Sequence, residues 1–334
     1  MFSRFRGIIL ITLAGLSLAA FLVWGINHPF EIAIQNNTQN TKANISITAQ
    51  EPMNILLLGV VGDGYRGALL TDTIFLTHLD FKTNKVSLLS IPRDLWVQVP
   101  GTNQNEKINA LYSLSNKNKT SFLKATNYNL IQNKIEQITG LPVNYVVIFD
   151  LAGFGQLVDA IGGINIYLSK EMIDPRFTNP HDSSSIFDLT PGWHYLDGTT
   201  AIKFVRTRYA PNGDFYRIDN QHLIIAALKE KIAQLSSVWN LMAWFKIYQS
   251  ISNHYITNLD FDTLWNLLNF VRNIKSNQIQ YFSLTNQAPN NLLISSSVEG
   301  MFNNATTSVY ILLPKEGFEQ YNSIQNYIKT NFND

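Results

Sequence analysis

The stretch from Arg206 to Gln221 (RTRYAPNGDFYRIDNQ) sets three arginines and Asp214 into one turn and helix entry, just ahead of an apolar helical run. Crowded guanidinium groups are costly to hold together unless they meet an anion, and their planar forks match phosphate oxygens bidentately. The stretch therefore reads as a phosphate or pyrophosphate site. Arg206 and Arg208 stand two apart, and Gly213-Asp214 makes a turn. Arg217 and Gln221, four apart, share a helix face.

Three other clusters carry related chemistry. Gly59 to Asp72 (GVVGDGYRGALLTD) is a glycine-rich connection bracketed by Asp63 and Asp72, in which the bare backbone can approach a ligand closely. It lacks the Gly-Lys-Ser/Thr ending of a nucleotide-binding P-loop, and strand-like residues follow it where a dinucleotide fingerprint needs a helix. Ser90-Ile91-Pro92-Arg93-Asp94 closes a strand; Pro92 fixes the chain as it leaves the sheet and delivers Arg93 to the sheet's C-terminal edge, where α/β folds place their ligands. Lys107 and Asn109 open a helix two residues apart. Each cluster alone also has a plainer reading: a turn with a capping Asp, a surface ion pair, a solvated Lys. Together they put Arg93, Lys107, Arg206, Arg208 and Arg217 against Asp72 and Asp214. An Asp beside phosphate calls for a divalent cation, most naturally Mg²⁺, which takes carboxylate and phosphate oxygens together.

Composition removes several function classes. The chain has 334 residues with a net charge of +1, so it lacks the Lys/Arg excess of a nucleic-acid binder. It has no cysteine, which excludes thiolate zinc sites, disulfides and a cysteine nucleophile. The histidines show no metal-ligand spacing, and no Gly-x-Ser-x-Gly marks a serine hydrolase.

The elements that must position these groups follow from periodicity. Strands are expected at Asn54–Gly59, Thr73–Leu79 and Val86–Ile91, with Lys82 to Lys85 as a hairpin turn, then at Val143–Phe149, Ile164–Leu168, Gln278–Ser283 and Ser308–Leu313. Helices are expected over Leu111–Ile138 with a break near 116–120, and at Leu151–Ile161, Thr199–Val205, Ile218–Leu235, Leu241–Ile251, Phe261–Ile274 and Glu316–Lys329. The interleaving implies an α/β fold, a central mixed β-sheet flanked by helices in an α-β-α arrangement. One N-terminal transmembrane helix precedes it. Ile8 to Ile26 is uncharged and mostly apolar, and at ~1.5 Å per residue it covers about 28 Å, close to a bilayer core of ~30 Å. Arg4 and Arg6 place the N-terminus in the cytoplasm. The expected organisation is a cytoplasmic tail over 1–7, a signal-anchor over 8–26, a linker over 27–51 and one extracytoplasmic domain over 52–334.

The order and content of these clusters resemble the LytR-CpsA-Psr family. The carrying motifs are NILLLG at Asn54, TDTI at Thr71, VSLLSIPRDLWVQVPG at Val86 and KINA at Lys107. They continue with ITGLPVNYVVIFDLAGFGQLVDAIGGINI at Ile138, GWHYLDGTTAIKFVRTRY at Gly192 and GDFYRIDNQ at Gly213. The resemblance covers residues 52 to about 240. It implies a bacterial cell-membrane protein, single-pass, that moves a glycopolymer from a polyprenyl-pyrophosphate carrier onto peptidoglycan, leaving a phosphodiester. It also implies an apolar tunnel for the prenyl chain and a Mg²⁺ ion with clustered arginines at its mouth. By motif position, Asp72 is the metal-side acid, and Arg93, Lys107, Arg206, Arg208, Arg217 and Gln221 grip the pyrophosphate with Asp214 in support; Asn109 lies in the same KINA motif. The family commonly carries an acid where this chain has Val61 and an Arg where it has Leu70. Asp63 and Arg66, in the same loop, are the candidates to stand in, Asp63 on the metal and Arg66 on the substrate. Asn220 stands where the family often has Arg.

Phosphoryl transfer demands positioning and charge neutralisation more than covalent help from the protein. Asp214 would take the acceptor's proton or orient an arginine. Two other activities would use the same residues: hydrolysis of the same lipid, and binding of polyprenyl phosphates without turnover.

Overall fold

The computed structural model describes residues 51–65, 67–119, 121–209, 213–235, 241–302 and 305–332. The expected span Ile8–Ile26, the tail before it, the linker up to residue 50 and Arg66 lie outside them. Among the described residues no helix is long and apolar enough to cross a membrane.

The chain opens with strands β1 (Met53–Val60), β2 (Thr71–Asp80) and β3 (Lys85–Ser90), then a short hairpin of β4 (Trp96–Gln98) and β5 (Asn105–Lys107). Helices α1 (Leu111–Ser115) and α2 (Asn129–Thr139) lead to β6 (Tyr145–Asp150) and α3 (Leu151–Ala160). Four short strands follow, β7 (Ile164–Leu168), β8 (Met172–Thr178), β9 (Ile186–Leu189) and β10 (Gly192–Leu196), paired as nested ribbons, β7 with β10 and β8 with β9. Then come α4 (Gly198–Arg206), α5 (Asp214–Leu235), α6 (Leu241–Ile251), β11 (Tyr255–Thr257), α7 (Phe261–Asn273), β12 (Ile279–Ser283), the long hairpin β13 (Leu293–Phe302) and β14 (Ala305–Pro314), and α8 (Asn322–Phe332).

The central sheet has six strands in the order β11-β6-β1-β2-β3-β12. It is mixed: β1 runs parallel to β6 and antiparallel to β2, and β3 runs parallel to β12. Alternate side chains of β1 divide between the faces. Leu56, Leu58 and Val60 enter a core with Ile131 and Ile135 of α2 and Ile324 and Ile328 of α8. On the other face Met53, Leu79 and Leu88 meet Leu267 of α7 and Ile225 of α5. A third apolar cluster joins α3, α4, α5 and α6 to the inner faces of the β7–β10 ribbons. The α/β expectation, a mixed sheet flanked by helices, describes this architecture.

Local chemistry sets the boundaries. The β2–β3 turn closes because Asp80 accepts from the amides of Lys82 and Thr83 and from the Thr83 hydroxyl, while Asn84 takes a left-handed φ of 53°. Asp150, Asp197 and Asp260 cap α3, α4 and α7 by accepting from the third residue on. The last helix starts at Asn322 rather than Glu316, because Gly317 and Glu319 have φ of 124° and 60° and no right-handed helix passes through such residues. The strands β4, β5, β8, β9, β10, β11 and β13 were not expected from periodicity. Most are three- to seven-residue pieces, and β8 and β10 carry apolar residues on their exposed face as well (Ile173, Trp193, Tyr195), so no clean alternation of residue type marks them.

Helices α3 and α4 approach through glycine. A Cβ on Gly198 would lie 2.2 Å from the carbonyl oxygen of Gly155, and one on Gly155 would lie 2.6 Å from Ile202 Cδ1. Gly198 N donates to Asp159 Oδ1 at 2.7 Å across the same contact. Gly198→Ala must push the helices apart and is expected to cost about 1–3 kcal/mol, read as a lower urea midpoint. An unchanged midpoint would show that the contact carries no strain-sensitive packing.

Candidate functional site

Strand geometry brings the candidate residues to one edge. Asp72 begins β2 and Arg93 follows β3, so antiparallel pairing returns both to the same end of the sheet. Arg93 Nη1 donates to Asp72 Oδ1 at 2.5 Å, and Arg93 Nε lies 3.2 Å from Asp214 Oδ1. Asp214 opens α5, and one turn later Arg217 Nη2 donates to Asp214 Oδ2 at 3.0 Å and to the Asp72 carbonyl at 2.9 Å. Gln221, a further turn along, donates to Thr73 Oγ1 at 2.9 Å. Lys107 Nζ bonds Asp94 at 2.5 Å, beside Arg93 rather than in the cavity wall. Asn109 takes part through its backbone: its amide donates to the Arg93 carbonyl, and its carbonyl accepts from the Thr71 hydroxyl.

Asp72, Thr73, Arg93, Arg217 and Gln221 line a cavity of about 470 Å³. Arg206 and Arg208 line it with Arg93, Arg217 and Gln221. Its deeper wall is apolar, with Phe149, Phe154, Leu157, Ile224, Ile225 and Leu228. Arg206 lies over the Phe177 ring at 5.5 Å. Neither Arg206 nor Arg208 makes an ion pair among the described residues.

Electrostatically the cluster is crowded. Arg217, with only 5% of its side chain exposed, has its pKa pushed down to about 10, first by burial and then by Arg93 and Arg208, against the pull of Asp214 and Asp72. Arg208 is lowered by burial and by Arg93. Arg93 is raised, because Asp72, Asp214 and Asp94 outweigh its burial. All three stay charged at neutral pH. Arg93 Nε, Arg217 Nε and Asp214 Oδ1 are buried without an aligned hydrogen bond, three of the four such side-chain atoms among the described residues. Arg93 Nε and Asp214 Oδ1 face each other at 3.2 Å without hydrogen-bond alignment, so the uncompensated charge of the cluster lies on Arg206 and Arg208, and a cavity wall with unpaired guanidinium groups suits an anion.

Two calls on the glycine-rich loop need separate treatment. Asp63 is not brought to the cluster: its carboxylate accepts from the Phe122 amide at 2.7 Å and the Ser121 hydroxyl at 2.9 Å, capping the turn at Phe122–Lys124. A short acid beside an exposed helical N-terminus finds those donors first. Arg66 lies outside the described residues. Val61 lines the cavity, and Asp150 lines it too, but Asp150 is committed to the Gly153 amide at 2.7 Å and His254 Nδ1 at 2.9 Å. Asp72, with 37% of its side chain exposed, is therefore the carboxylate available to a cation; no group of three or more His, Cys, Asp or Glu gathers among the described residues. One carboxylate plus phosphate oxygens is a donor set that Mg²⁺ accepts.

Sequence reasoning missed Arg176, which lines the same cavity from β8. Its signal was Asp174-Pro175-Arg176, a proline-fixed arginine like Pro92-Arg93. It also missed His222, whose Nε2 lies 2.7 Å from Ser90 Oγ, between Phe75 and Tyr281. That contact ties the end of β3, which carries Arg93, to α5, which carries Arg217.

Burial pushes the His222 pKa down from 6.5 to about 4, and burial also lowers that of His78. His222 is neutral when folded, so the unfolded chain takes up a proton first as pH falls. The stability it allows is complete above about pH 6.5 and declines toward pH 4. His222→Gln is expected to remove about 2 kcal/mol from the stability lost between pH 7 and pH 5. Parallel pH–stability curves for the two proteins would contradict this.

The pattern of the LytR_cpsA_psr family matches residues 23–326. A polyisoprenyl-teichoic acid–peptidoglycan teichoic acid transferase, TagU of Enterococcus faecalis, is 28% identical over 268 residues, covering 79% of this chain and 80% of its own. The crystal structure of Bacillus subtilis TagV shares the fold at a TM-score of 0.62 and 23% identity, over 85% of this chain and 96% of that one. TagT bound to LIIa-WTA does so at 0.61 and 20% identity, over 88% and 95%.

Proposed function

Because this chain belongs to the LytR-CpsA-Psr family, we propose that it is a cell-wall transferase that moves a glycopolymer from a polyprenyl-pyrophosphate carrier onto peptidoglycan. The observation that carries the reading is the juxtaposition of arginines without an ion pair, Arg206 and Arg208, with apolar side chains in one cavity wall: a diphosphate joined to a hydrocarbon chain has those two faces. The naming of TagU as a teichoic acid transferase supports the choice of polymer and acceptor class.

In this reading the acceptor hydroxyl attacks the sugar-side phosphorus. A phosphodiester forms, the bridging P–O bond breaks, the prenyl phosphate leaves, and the proton of the acceptor hydroxyl passes to the leaving phosphate or to solvent. Arg93, Arg208 and Arg217 stabilise the charge that develops on the leaving phosphate, in a site walled by low-dielectric side chains. Arg206 extends that grip to the rim. Asp214, bonded to Arg217 and facing Arg93, orients both. Gln221, held on Thr73, fixes the side of α5 that faces the diphosphate. Lys107 and Asn109 support Arg93 through Asp94 and the backbone. Asp72 would hold Mg²⁺, which when bound would neutralise phosphate charge. The segment Ile8–Ile26 would anchor the protein in the cell membrane with Arg4 and Arg6 inside, keeping the domain near its lipid-borne donor.

The test is incubation of the full chain with a polyprenyl-pyrophosphate glycopolymer, peptidoglycan and Mg²⁺. Polymer on the wall is expected; unattached glycopolymer phosphate with prenyl phosphate instead would mean hydrolysis, and neither product would mean binding only. Arg93→Ala should lower turnover by about 10²–10³-fold. Arg93→Lys should recover little of it, because an ammonium cannot span two acceptors as a guanidinium does. Wild-type turnover in Arg93→Ala would remove that residue from the site.

A further inference from the structure

Arg176 is mounted differently from every other arginine in the cavity wall. Asp174, two residues before it, is fully buried. Arg176 Nε donates to Asp174 Oδ1 at 3.0 Å, and Nη2 donates to Asp174 Oδ2 at 2.9 Å. The Asp174 carboxylate also accepts from the hydroxyl of Thr207, the residue between Arg206 and Arg208. Burial alone would raise the pKa of Asp174, but the hydrogen bonds from Arg176 and Thr207 hold it below its usual value. The Arg176 guanidinium also lies 5.6 Å from the centre of the Tyr209 ring. Its plane is thus fixed by a bidentate acid along one edge and an aromatic ring nearby, while 51% of the side chain stays exposed.

A guanidinium has five N–H groups, and the pair to Asp174 uses two of them. The other three belong to a residue of the cavity wall. Depth separates Arg176 from the inner arginines: the side chains of Arg93 and Arg217 are 16% and 5% exposed, so Arg176 sits farther out. Arg206 and Arg208, on either side of Thr207, line the same cavity without an ion pair among the described residues, Arg208 lies close enough to Arg176 for their charges to repel, and Tyr209 is 56% exposed. Asp174 balances the charge of Arg176, so Arg176 contributes directed donors while Arg206 contributes net charge. Preset donors, an unpaired cation and an open aromatic face are the chemistry that recognises a sugar bearing an oxyanion.

We propose that Arg176 is a substrate-binding residue for an anionic group on the glycan itself, the first phosphate beyond the carrier diphosphate, and that it tunes this protein to polyanionic glycopolymers. The proposal rests on the transferase reading above. Two donors test it, made on the same polyprenyl diphosphate: one carries a neutral disaccharide, the other the same disaccharide extended by a polyol phosphate. With the full chain in liposomes, Arg176→Ala should raise KM for the phosphate-bearing donor roughly tenfold, with little change in kcat and little change in either constant for the neutral donor. Arg176→Lys should not restore it. Because Arg176→Ala leaves a buried carboxylate without its cation, the double variant Asp174→Asn, Arg176→Gln provides a second measurement, with circular dichroism to check its fold, and should show the same split. Equal losses on both donors would make Arg176 a mount for Arg206 and Arg208 only, and no loss on either would remove it from the site; both overturn the proposal. If the wild-type protein transfers neither donor, the transferase reading fails instead, a result distinct from any of these.

Discussion

Arg93 and Arg217 meet across Asp214, and neither guanidinium is placed by its own element alone. Arg93 leaves the end of a central strand, Arg217 rises from the first turn of a long helix, and Asp72 on a neighbouring strand accepts from both, through its carboxylate and its carbonyl. Holding like charges this close is unfavourable unless acids and a rigid frame oppose the repulsion. The frame is built for that task. The β2–β3 pairing sets Asp72 against Arg93, and the Ser90–His222 contact fixes β3 to α5. The acids compensate only in part, since Arg208 and Arg206 have no ion pair among the described residues. The excess leaves the cavity wall with uncompensated positive charge.

The second constraint is the meeting of two unlike environments. Along α5 the chain passes from Asp214, Arg217 and Gln221 to Ile224, Ile225 and Leu228, so one helix supplies both the charged mouth and the apolar wall. Helices α3 and α4 close that wall from the side, and they come close enough only because Gly155 and Gly198 have no side chains. Low-dielectric surroundings strengthen each charge interaction at the mouth, and they also make any unpaired group there costly. A ligand with a charged head and a hydrocarbon tail satisfies both halves together.

Residues whose role is local were legible in the sequence. The strands β1, β2 and β3 are strong apolar runs bounded by turn residues, and helices such as α3 and α7 begin at capping acids. Arg93, Arg208 and Arg217 stood out because several arginines in short stretches demand an explanation. Arg176 did not, since a single arginine in a short ribbon resembles any surface residue until Asp174 is seen to be buried beneath it. His222 was hidden for the same reason: nothing in its neighbours along the chain says that it faces Ser90, 132 residues away. Asp63 shows the converse. Its position in a glycine-rich loop suggested a ligand, and a helical turn from a distant segment claimed it.

The amino-acid sequence by itself determined the class of fold and the order of its main elements, because these follow from periodicity, capping and residue type, and its ordered motifs carried the family. Only the tertiary structure decided which charges share one edge, which acid remains available, and which arginine gains a fixed orientation. Those outcomes depend on contacts between segments far apart in the chain, where burial and competition for partners set the result and no local pattern records it.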